Sequence, residues 1–268
     1  MSELMLQQTQ VDRVISLYKN WLKIFPTWQS LANAKTAELI HAWAGLGYNR
    51  RALFAREAAK SVAQNGVPGD EAGWRQLKGV GPYMAAALSE FVNGKRAVVI
   101  DTNVRRVAGR LFLGNSFPSI QDDVELRKTL ERITPKNSGH ADLPQAFMDL
   151  GSSVCTPNRP ICETCPMKRV CASAPKFLSG RVQKPKRKKI TERIHGEKPF
   201  PDRIYRGRIL QWIRINGATS PKFLGEKIDS TYDQISDLTW IEAMCERLIN
   251  DGFLVRKRNG MLSLSQSS

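Results

Sequence analysis

The spacing of apolar residues predicts that the first two thirds of the chain are almost wholly helical. From Glu3 to about Cys171 apolar residues recur three and four positions apart, with Gly and Pro between the segments and few strand-like alternations. An all-α domain is therefore expected. Its predicted helices cover residues 3–24, 36–44, 50–65, 82–92, 103–112, 122–133 and 143–154.

The pattern changes abruptly at residues 181–203, which contain nine Lys or Arg and three Pro. That composition is typical of a linker or a basic arm. Beyond it the pattern predicts three helices and then two short strands joined by Asn259-Gly260. The predicted elements cover residues 205–216, 220–228, 238–250, 253–258 and 261–265. Asn-Gly favours a type I′ hairpin because both residues tolerate positive φ.

These patterns predict three regions along the chain: a helical domain over residues 1–175, a basic linker over 176–203, and a small α+β unit over 204–268. Three helices followed by a hairpin is the element order of a winged helix. We therefore expect a mainly α protein that carries a small winged-helix-like unit at its C-terminal end.

The net charge of the chain indicates the kind of partner that the protein binds. The chain carries 41 Lys and Arg against 25 Asp and Glu, a formal net charge of +16, which favours a polyanion and first of all nucleic acid. No apolar stretch approaches the roughly 20 residues of a membrane span. The opening MSELMLQQTQ also lacks the layout of a signal peptide. We therefore expect a cytoplasmic protein without a membrane partner.

Four cysteines lie within 17 positions of one another, at Cys155, Cys162, Cys165 and Cys171. Four thiolates on one short loop can bind one soft metal centre, and both zinc and a [4Fe-4S] cluster accept four sulfur ligands. A structural zinc site usually pairs two C-x2-C knuckles, whereas this loop has one. Reduced core cysteines are the third interpretation. Cys245 stands apart and is expected to be a buried core thiol.

A glycine-containing turn between two predicted helices is the next candidate. In Leu77-Lys78-Gly79-Val80-Gly81-Pro82-Tyr83 the two glycines allow a sharp turn whose N–H groups can hold a phosphate, although an ordinary helix–helix turn would look the same. Further along, the apolar run Val98–Ile100 places Asp101 immediately before a helix. Taken alone, an acidic residue there is more often a helix cap.

Together, the turn, Asp101 and the cysteine spacing resemble the helix-hairpin-helix DNA glycosylases that carry an iron–sulfur cluster, over about residues 1–175. Within that superfamily the sequence is most similar to MutY-type adenine DNA glycosylases. The similar segments are SELMLQQTQV (2–11), GLGYNRR (45–51), LKGVGPYMAAA (77–87), IDTNVRRV (100–107) and QAFMDLGSSVCT (145–156).

The resemblance implies the helix-hairpin-helix glycosylase fold, a helical barrel beside a cluster-bearing helical domain. It implies a [4Fe-4S] cluster held by the four loop cysteines. The implied partner is double-stranded DNA containing a mismatched or damaged base, bound by a monomer in the cytoplasm at the nucleoid.

The resemblance also implies catalytic roles. A glycosylase needs an acid for the leaving base and an anion for the developing sugar cation. Glu3 matches the family's acid and Asp101 its cation-stabilising carboxylate. Tyr83 occupies the position where bifunctional relatives carry a Schiff-base lysine, so base excision without efficient strand cleavage is expected, with Tyr83 hydrogen-bonding near Glu3. A packed core tyrosine is the alternative.

The expected DNA contacts include the turn itself, Lys78, Gly79, Val80 and Gly81. Gln7 and Gln8 are expected near the DNA strands, and Tyr48 resembles the aromatic residue that wedges beside the mispaired guanine, although it could equally be core. Spacing predicts that Glu3, Gln7 and Gln10 share one helical stripe. Asn103 matches a residue that supports the catalytic Asp. The basic arm and the winged unit would add phosphate contacts, unless the arm is a solvated linker.

Departures from the family pattern leave the base specificity open. Thr102 stands where Gly is typical, Asn49 replaces a second aromatic residue, and the MutT-like domain that reads 8-oxoguanine is not recognisable. Relatives also have a further helical stretch before the position of Glu3. The preferred function is removal of adenine opposite guanine or 8-oxoguanine by a monofunctional enzyme. The alternatives are a thymine or uracil:guanine mismatch glycosylase and a non-catalytic iron–sulfur DNA-binding protein.

Overall fold

The computed structural model describes residues 1–136, 141–182 and 192–267, and within them it is mainly helical. The predicted mainly α fold class is confirmed. In chain order the elements are α1 Ser2–Leu6, α2 Val11–Ile24, α3 Trp28–Ala32, α4 Thr36–Ala42, α5 Arg50–Asn65, α6 Glu71–Arg75, α7 Pro82–Phe91, α8 Thr102–Phe112, α9 Asp123–Ile133, α10 Asp142–Ser153, α11 Ala174–Leu178, α12 Asp202–Asn216, α13 Pro221–Ile228, α14 Gln234–Asn250, β1 Leu254–Arg256 and β2 Leu262–Leu264. Short 3₁₀ turns lie at Ile120–Asp122 and Cys162–Thr164.

The chain forms two compact units. The first comprises Met1–Val67 together with Lys189–Ser268, and the second comprises Pro68–Lys188. The domain boundaries expected at residues 175 and 203 stay a prediction. Residues 183–191 of the expected linker lie outside the described residues.

The first unit has a hydrophobic core shared by residues from both of its chain segments. Tyr205, Ile209 and Ile213, spaced four apart on α12, are at most 2% exposed and pack with residues of α13, α14 and the hairpin. Ile40 of α4 belongs to the same cluster. The C-terminal helices therefore pack against the N-terminal ones within this unit.

The C-terminal end of the chain also provides hydrogen-bond partners for the start of α4. The first N–H groups of a helix have no partner within the helix. Here Thr36 N donates to Ser267 O at 2.9 Å and Ala37 N donates to Ser265 O at 3.0 Å. The buried Arg56 guanidinium donates to the Ser267 carbonyl as well, at 2.8 Å. These bonds fix the last residues onto α4.

The predicted hairpin is confirmed, with Leu254 opposite Leu264 and Arg256 opposite Leu262. Its predicted turn type is wrong. Gly260 has a φ of 77°, but Asn259 does not have positive φ, and Gly260 N donates to Lys257 O at 2.9 Å. A type I turn followed by a glycine bulge therefore replaces the type I′ turn. The order of three helices and a hairpin is observed, and the winged-helix resemblance stays a prediction.

The helix predicted over residues 3–24 is interrupted, which corrects one expectation about the site. α1 ends at Leu6, Gln7 has a ψ of 112°, and Gln8 has a φ of 57° before α2 begins at Val11. Glu3, Gln7 and Gln10 consequently do not share one helical stripe. Carbonyl groups at this break receive hydrogen bonds from a residue far away in the sequence. The Arg51 guanidinium donates to the carbonyl groups of Leu4 and Gln7, each at 2.6 Å.

The second unit has its core between α8, α9 and α10. Val104 and Val107 of α8 pack with Leu126 and Leu130 of α9 and with Phe147 of α10. The approach of α10 to α8 needs a glycine, since a Cβ at Gly151 would lie 2.8 Å from the Asn103 Cβ. In the part of the chain that the structure describes, no helix is both long and apolar enough to span a membrane.

Candidate functional site

The glycine-containing turn lies between α6 and α7, as the sequence predicts. Val80 N donates to Leu77 O at 3.1 Å and closes the turn, and Gly79 has a φ of 85° that a residue with a side chain rarely adopts. Gly81 precedes α7, which starts with Pro82 at its first position. Lys78, Gly79 and Gly81 are exposed. The turn can therefore present main-chain groups and an ammonium group to a phosphate, and that role stays a prediction.

Asp101 caps α8 and is also held by a neighbouring amide. Its Oδ1 accepts the Val104 N–H at 2.6 Å, and its Oδ2 accepts the Asn103 side-chain amide at 3.1 Å. The cap interpretation and the functional interpretation are thus compatible, since the two carboxylate oxygens have different partners. Asp101 is half-buried, so solvent or substrate can still approach it.

Tyr83 lies in the first turn of α7 in the same unit. Its half-buried side chain packs against Ala86, Ala87 and Val99. The packing expected of a core tyrosine is therefore partly present, and the catalytic role of Tyr83 stays a prediction.

A half-buried network links Asp101 to the cysteine loop through Arg106. The Arg106 guanidinium donates to Asn103 Oδ1, to Gly151 O and to Cys155 O, each at 2.7 Å. Burial lowers the pKa of Arg106, and the nearby Cys155 opposes that shift. One cation thereby holds the amide that bonds Asp101 and also fixes the start of the cysteine loop.

The four loop cysteines line one small cavity of about 30 Å³, and none of them forms a disulfide. Burial raises the pKa of Cys162, and the neighbouring Cys155, Cys171 and Cys165 add to the increase. Among the described residues, no three His, Cys, Asp or Glu side chains are arranged to hold a single metal ion. The shared cavity brings together the donor set that an iron–sulfur cluster requires, namely four thiolates on one loop.

Both ends of the cysteine loop are attached to the C-terminal end of α8. The buried Arg110 guanidinium lies 3.3 Å from Cys155 Sγ and donates to Thr156 O at 2.8 Å. At the other end, Ala172 N donates to Leu111 O at 3.1 Å. Sequence reasoning missed both Arg106 and Arg110, although their spacing of four places them on one face of α8.

Cys245 of α14 lies in the first unit, fully buried in its hydrophobic core. Burial raises the pKa of this thiol to about 12. The expectation of a buried core thiol is confirmed.

The remaining predicted residues lie in the first unit. Glu3 is half-buried in the first turn of α1. Gln8 and Tyr48 are the two residues other than glycine with positive φ among those described, at 57° and 46°. Tyr48 is 56% exposed, which rules out the core interpretation of its side chain. Strained residues that stay exposed are typical of binding sites.

Arg51 connects the two strained segments. Its buried guanidinium donates to Gln7 O at 2.6 Å, to Leu46 O at 3.0 Å and to Gly47 O at 3.2 Å. Burial lowers the pKa of Arg51, and Tyr48 opposes that shift. Gln7, Gln8 and Tyr48 consequently line one groove, of about 1040 Å³, within the first unit. Sequence reasoning missed Arg51, because its partners are main-chain carbonyl groups of other segments.

The sequence of the chain is similar to those of known DNA repair proteins. Residues 1–136 match the HhH-GPD superfamily of base excision DNA repair proteins. The chain is 31% identical to the adenine DNA glycosylase of Mycobacterium tuberculosis, over 98% of this chain and 83% of that protein. It is 38% identical to human adenine DNA glycosylase, over 63% of this chain and 32% of the human protein, so it spans about a third of that relative.

Solved structures give a consistent comparison. A thermostable thymine-DNA glycosylase superposes with a TM-score of 0.60 at 26% identity, covering 65% of this chain and 82% of that one. An endonuclease III–DNA complex superposes with a TM-score of 0.59 at 23% identity, covering 66% and 83%, which supports the fold. The predicted family is thereby confirmed, and the chain belongs to the HhH-GPD superfamily of base excision DNA repair proteins.

Proposed function

We propose that the protein is a monofunctional DNA glycosylase that releases adenine mispaired with guanine or 8-oxoguanine in double-stranded DNA. The observation that carries the proposal is Asp101, a half-buried carboxylate held in place by a main-chain N–H and by the Asn103 amide. The similarity to adenine DNA glycosylases at 31–38% identity supports the choice of base.

Two carboxyl groups account for the chemistry. Breaking an N-glycosidic bond requires a proton for the departing base and stabilisation of the sugar cation that forms as the bond breaks. Glu3 protonates the base, and Asp101 stabilises the cation until water adds to the sugar. The products are free adenine and an abasic site.

Tyr83 determines that the reaction stops at the abasic site. Strand cleavage by a glycosylase needs an amine that forms a Schiff base with the sugar, and a phenol cannot form one. Asn103 orients Asp101 for the same reaction. The enzyme therefore leaves an intact strand that alkali can break.

DNA binding is assigned to main-chain and side-chain groups of both units. The exposed turn of Lys78, Gly79, Val80 and Gly81 binds phosphate through the Lys78 ammonium and through main-chain N–H groups other than that of Val80, which is bonded to Leu77 O. In the first unit, Gln7 and Gln8 lie along the strands and the exposed Tyr48 acts as the wedge. We expect the protein to act as a monomer in the cytoplasm, at the nucleoid.

Cys155, Cys162, Cys165 and Cys171 would hold a [4Fe-4S] cluster. The cluster would make this loop rigid, so that the loop could stabilise a DNA-binding surface, and base removal itself would use the protein's carboxyl groups. Protein purified anaerobically should be brown, should absorb broadly in the visible region and should contain about four irons per chain. Colourless protein that contains zinc would contradict this assignment.

A panel of duplexes tests the base specificity. The purified full chain is incubated with duplexes that hold one A:8-oxoguanine, A:G, T:G or U:G pair, and strand breaks are measured after alkali. Breaks at the adenine of the first two duplexes are expected. The likeness to a thymine-DNA glycosylase at 26% identity makes T:G the informative competitor, and cleavage confined to T:G or U:G would replace adenine as the substrate.

A further inference from the structure

The groove of the first unit is lined by far more positive charge than the predicted DNA contacts explain. Among the described residues, eight arginines and one carboxylate, Asp251, line it together with Gln7, Gln8 and Tyr48. Helix α12 of the C-terminal segment contributes to its lining. The predicted DNA contacts and a helix with no assigned role therefore share one groove.

Helix α12 has two distinct faces. Tyr205, Ile209 and Ile213 recur every four residues and are buried in the core. Arg203, Arg206, Gln211 and Arg214 all line the groove. At 3.6 residues per turn they fall within an arc of about 140°, in which the buried Leu210 is the one core residue. The sequence of α12 thus directs an apolar face to the core and a basic face to the groove.

Two arginines on this face are not used by the fold. Arg208, by contrast, donates to Ile228 O at 2.8 Å and stacks over the Phe200 ring, and Arg203 pairs with Glu192. Within the described residues, neither the Arg206 side chain nor the Arg214 side chain has a hydrogen-bond or ion-pair partner. Clustered cations that lack partners in the protein are the usual footprint of a polyanion.

Gly207 is a second and independent feature of the same face. It lies in the interior of α12 and is exposed, and a Cβ built on it meets nothing within 4 Å. Glycine within a helix is less stable than alanine, so a structural reason for it would be expected. The residues that the structure describes supply no steric reason. A backbone from another molecule that approaches the helix closely would supply one.

We propose that the groove-facing side of α12 binds a DNA sugar–phosphate backbone, with Arg206 and Arg214 contacting phosphates and Gly207 allowing the backbone to approach. The proposal rests on the proposed function in one respect, that the polyanion is DNA. It gives the C-terminal segment a role in holding DNA beside Tyr48.

The arginines are tested by the salt dependence of DNA affinity. Affinity of the full chain for a mispaired duplex and a fully matched duplex is measured by fluorescence anisotropy at several salt concentrations. Arg206→Gln and Arg214→Gln should each weaken binding of both duplexes and should each reduce the slope of log K against log salt by about 0.9.

The matched control is Lys19→Gln, which removes one positive charge from an exposed position of α2 in the same unit, outside the groove. Arg206→Lys should restore most of the lost slope, because it restores the charge. If Arg206→Gln and Arg214→Gln, with unchanged melting temperatures, bind with the same affinity and slope as Lys19→Gln, the proposal is overturned.

Gly207 is tested by comparing stability with affinity. Gly207→Ala should raise the melting temperature, because the position is helical and unobstructed, and yet it should lower DNA affinity, with Gly207→Leu lowering it further. If Gly207 had only a structural role, Gly207→Ala would not raise the melting temperature while lowering the DNA affinity. Unchanged affinity in both variants would overturn the close approach of DNA to α12.

Both tests measure binding, so they are separable from the test of base release. If no duplex loses a base but the arginine variants bind less tightly, the proposed catalysis fails and the α12 site stands. If adenine is released normally and the variants bind normally, the α12 site fails and the catalysis stands.

Discussion

At the scale of single residues, three buried or half-buried arginines organise the candidate sites. Arg51, Arg106 and Arg110 each donate to main-chain carbonyl groups of other segments, and a guanidinium can make several such bonds in fixed directions. The sequence predicted roles for Asp101 and the cysteines because a carboxylate and clustered thiols have characteristic chemistry of their own. It did not predict these arginines, because their partners are main-chain carbonyl groups. Every residue has such a group, so the sequence does not indicate which of them an arginine will contact.

Arg106 should affect the rate of base release more than DNA binding. Replacing it with Gln removes the donor to Asn103 Oδ1, so the Asn103 amide is free to leave Asp101. We expect a decrease in the single-turnover rate of about 10- to 100-fold, typical of small displacements of a catalytic group.

The neighbouring Arg105 provides the control for this experiment. Its guanidinium pairs with Asp123 at 2.5 Å and has no bond to Asn103. Arg105→Gln should therefore retain most of the rate. Equal rates in Arg106→Gln and the unmodified protein would show that the Asn103 contact has no catalytic importance.

Tyr83 should decide between base excision alone and strand cleavage. Tyr83→Lys places an amine where a Schiff base with the sugar could form. The variant should give a covalent protein–DNA complex when borohydride is added, and the unmodified protein should give none. Covalent trapping of the unmodified protein would contradict the monofunctional assignment.

At the scale of elements, local pattern predicted the helices that are stabilised locally. Both predicted ends of α5, at residues 50 and 65, are confirmed. Its apolar face is regular, and Gly66, with a φ of 80°, ends the helix. The break after α1 could not be predicted, since Arg51 satisfies its carbonyl groups from 47 residues away. The hairpin turn differed from the predicted type I′ turn because the loop contains one residue more than Asn259-Gly260. The local sequence does not determine the length of such a loop.

Residues 192–201, which the sequence assigned to the linker, are held against the C-terminal helices by buried charges. Lys198 Nζ lies 2.8 Å from Asp229 Oδ2 and 2.5 Å from Asp237 Oδ2, and all three side chains are less than 10% exposed. Composition predicted a linker or a basic arm here. The partners of the Lys198 charge lie on later elements, so composition could not reveal them.

Replacing Lys198 with Met should destabilise the first unit by about 3–5 kcal/mol, because two buried carboxylates lose their cation. Urea denaturation monitored by Trp fluorescence measures the loss. The exposed Lys222, on α13, offers a matched control, and Lys222→Met should change the free energy of unfolding little. Equal stability of the two variants would contradict the assigned importance of the cluster.

The same cluster predicts an acid transition. Burial alone would raise the pKa values of Asp229 and Asp237, but Lys198 and nearby N–H donors outweigh it and both pKa values are lowered. Carboxyl groups with lowered pKa values stabilise the fold above their unfolded pKa of about 4, and that contribution is lost as pH falls through the folded values. In Lys198→Met the acid unfolding midpoint should move to higher pH, and an unmoved midpoint would argue against the pairing.

At the scale of the whole molecule, the two ends of the sequence contribute to one unit. The core shared by Ile40 and α12, together with the bonds from Thr36 and Ala37 to the C-terminal residues, makes the C-terminal helices part of the unit that carries Glu3 and Tyr48. Sequence pattern predicted each of these helices separately. It could not predict their packing together, because contacts between residues more than 150 positions apart leave no periodic signal.

The central claim is that the protein removes a mispaired adenine with Asp101 as an essential carboxylate. The most direct measurement is mass spectrometry of the free base released from a duplex with one A:8-oxoguanine pair, using the full chain and Asp101→Asn. Asn is also a good helix cap, so the variant should fold. We expect free adenine from the unmodified protein and almost none from Asp101→Asn. Absence of adenine with the unmodified protein, or equal release by the variant, would contradict it.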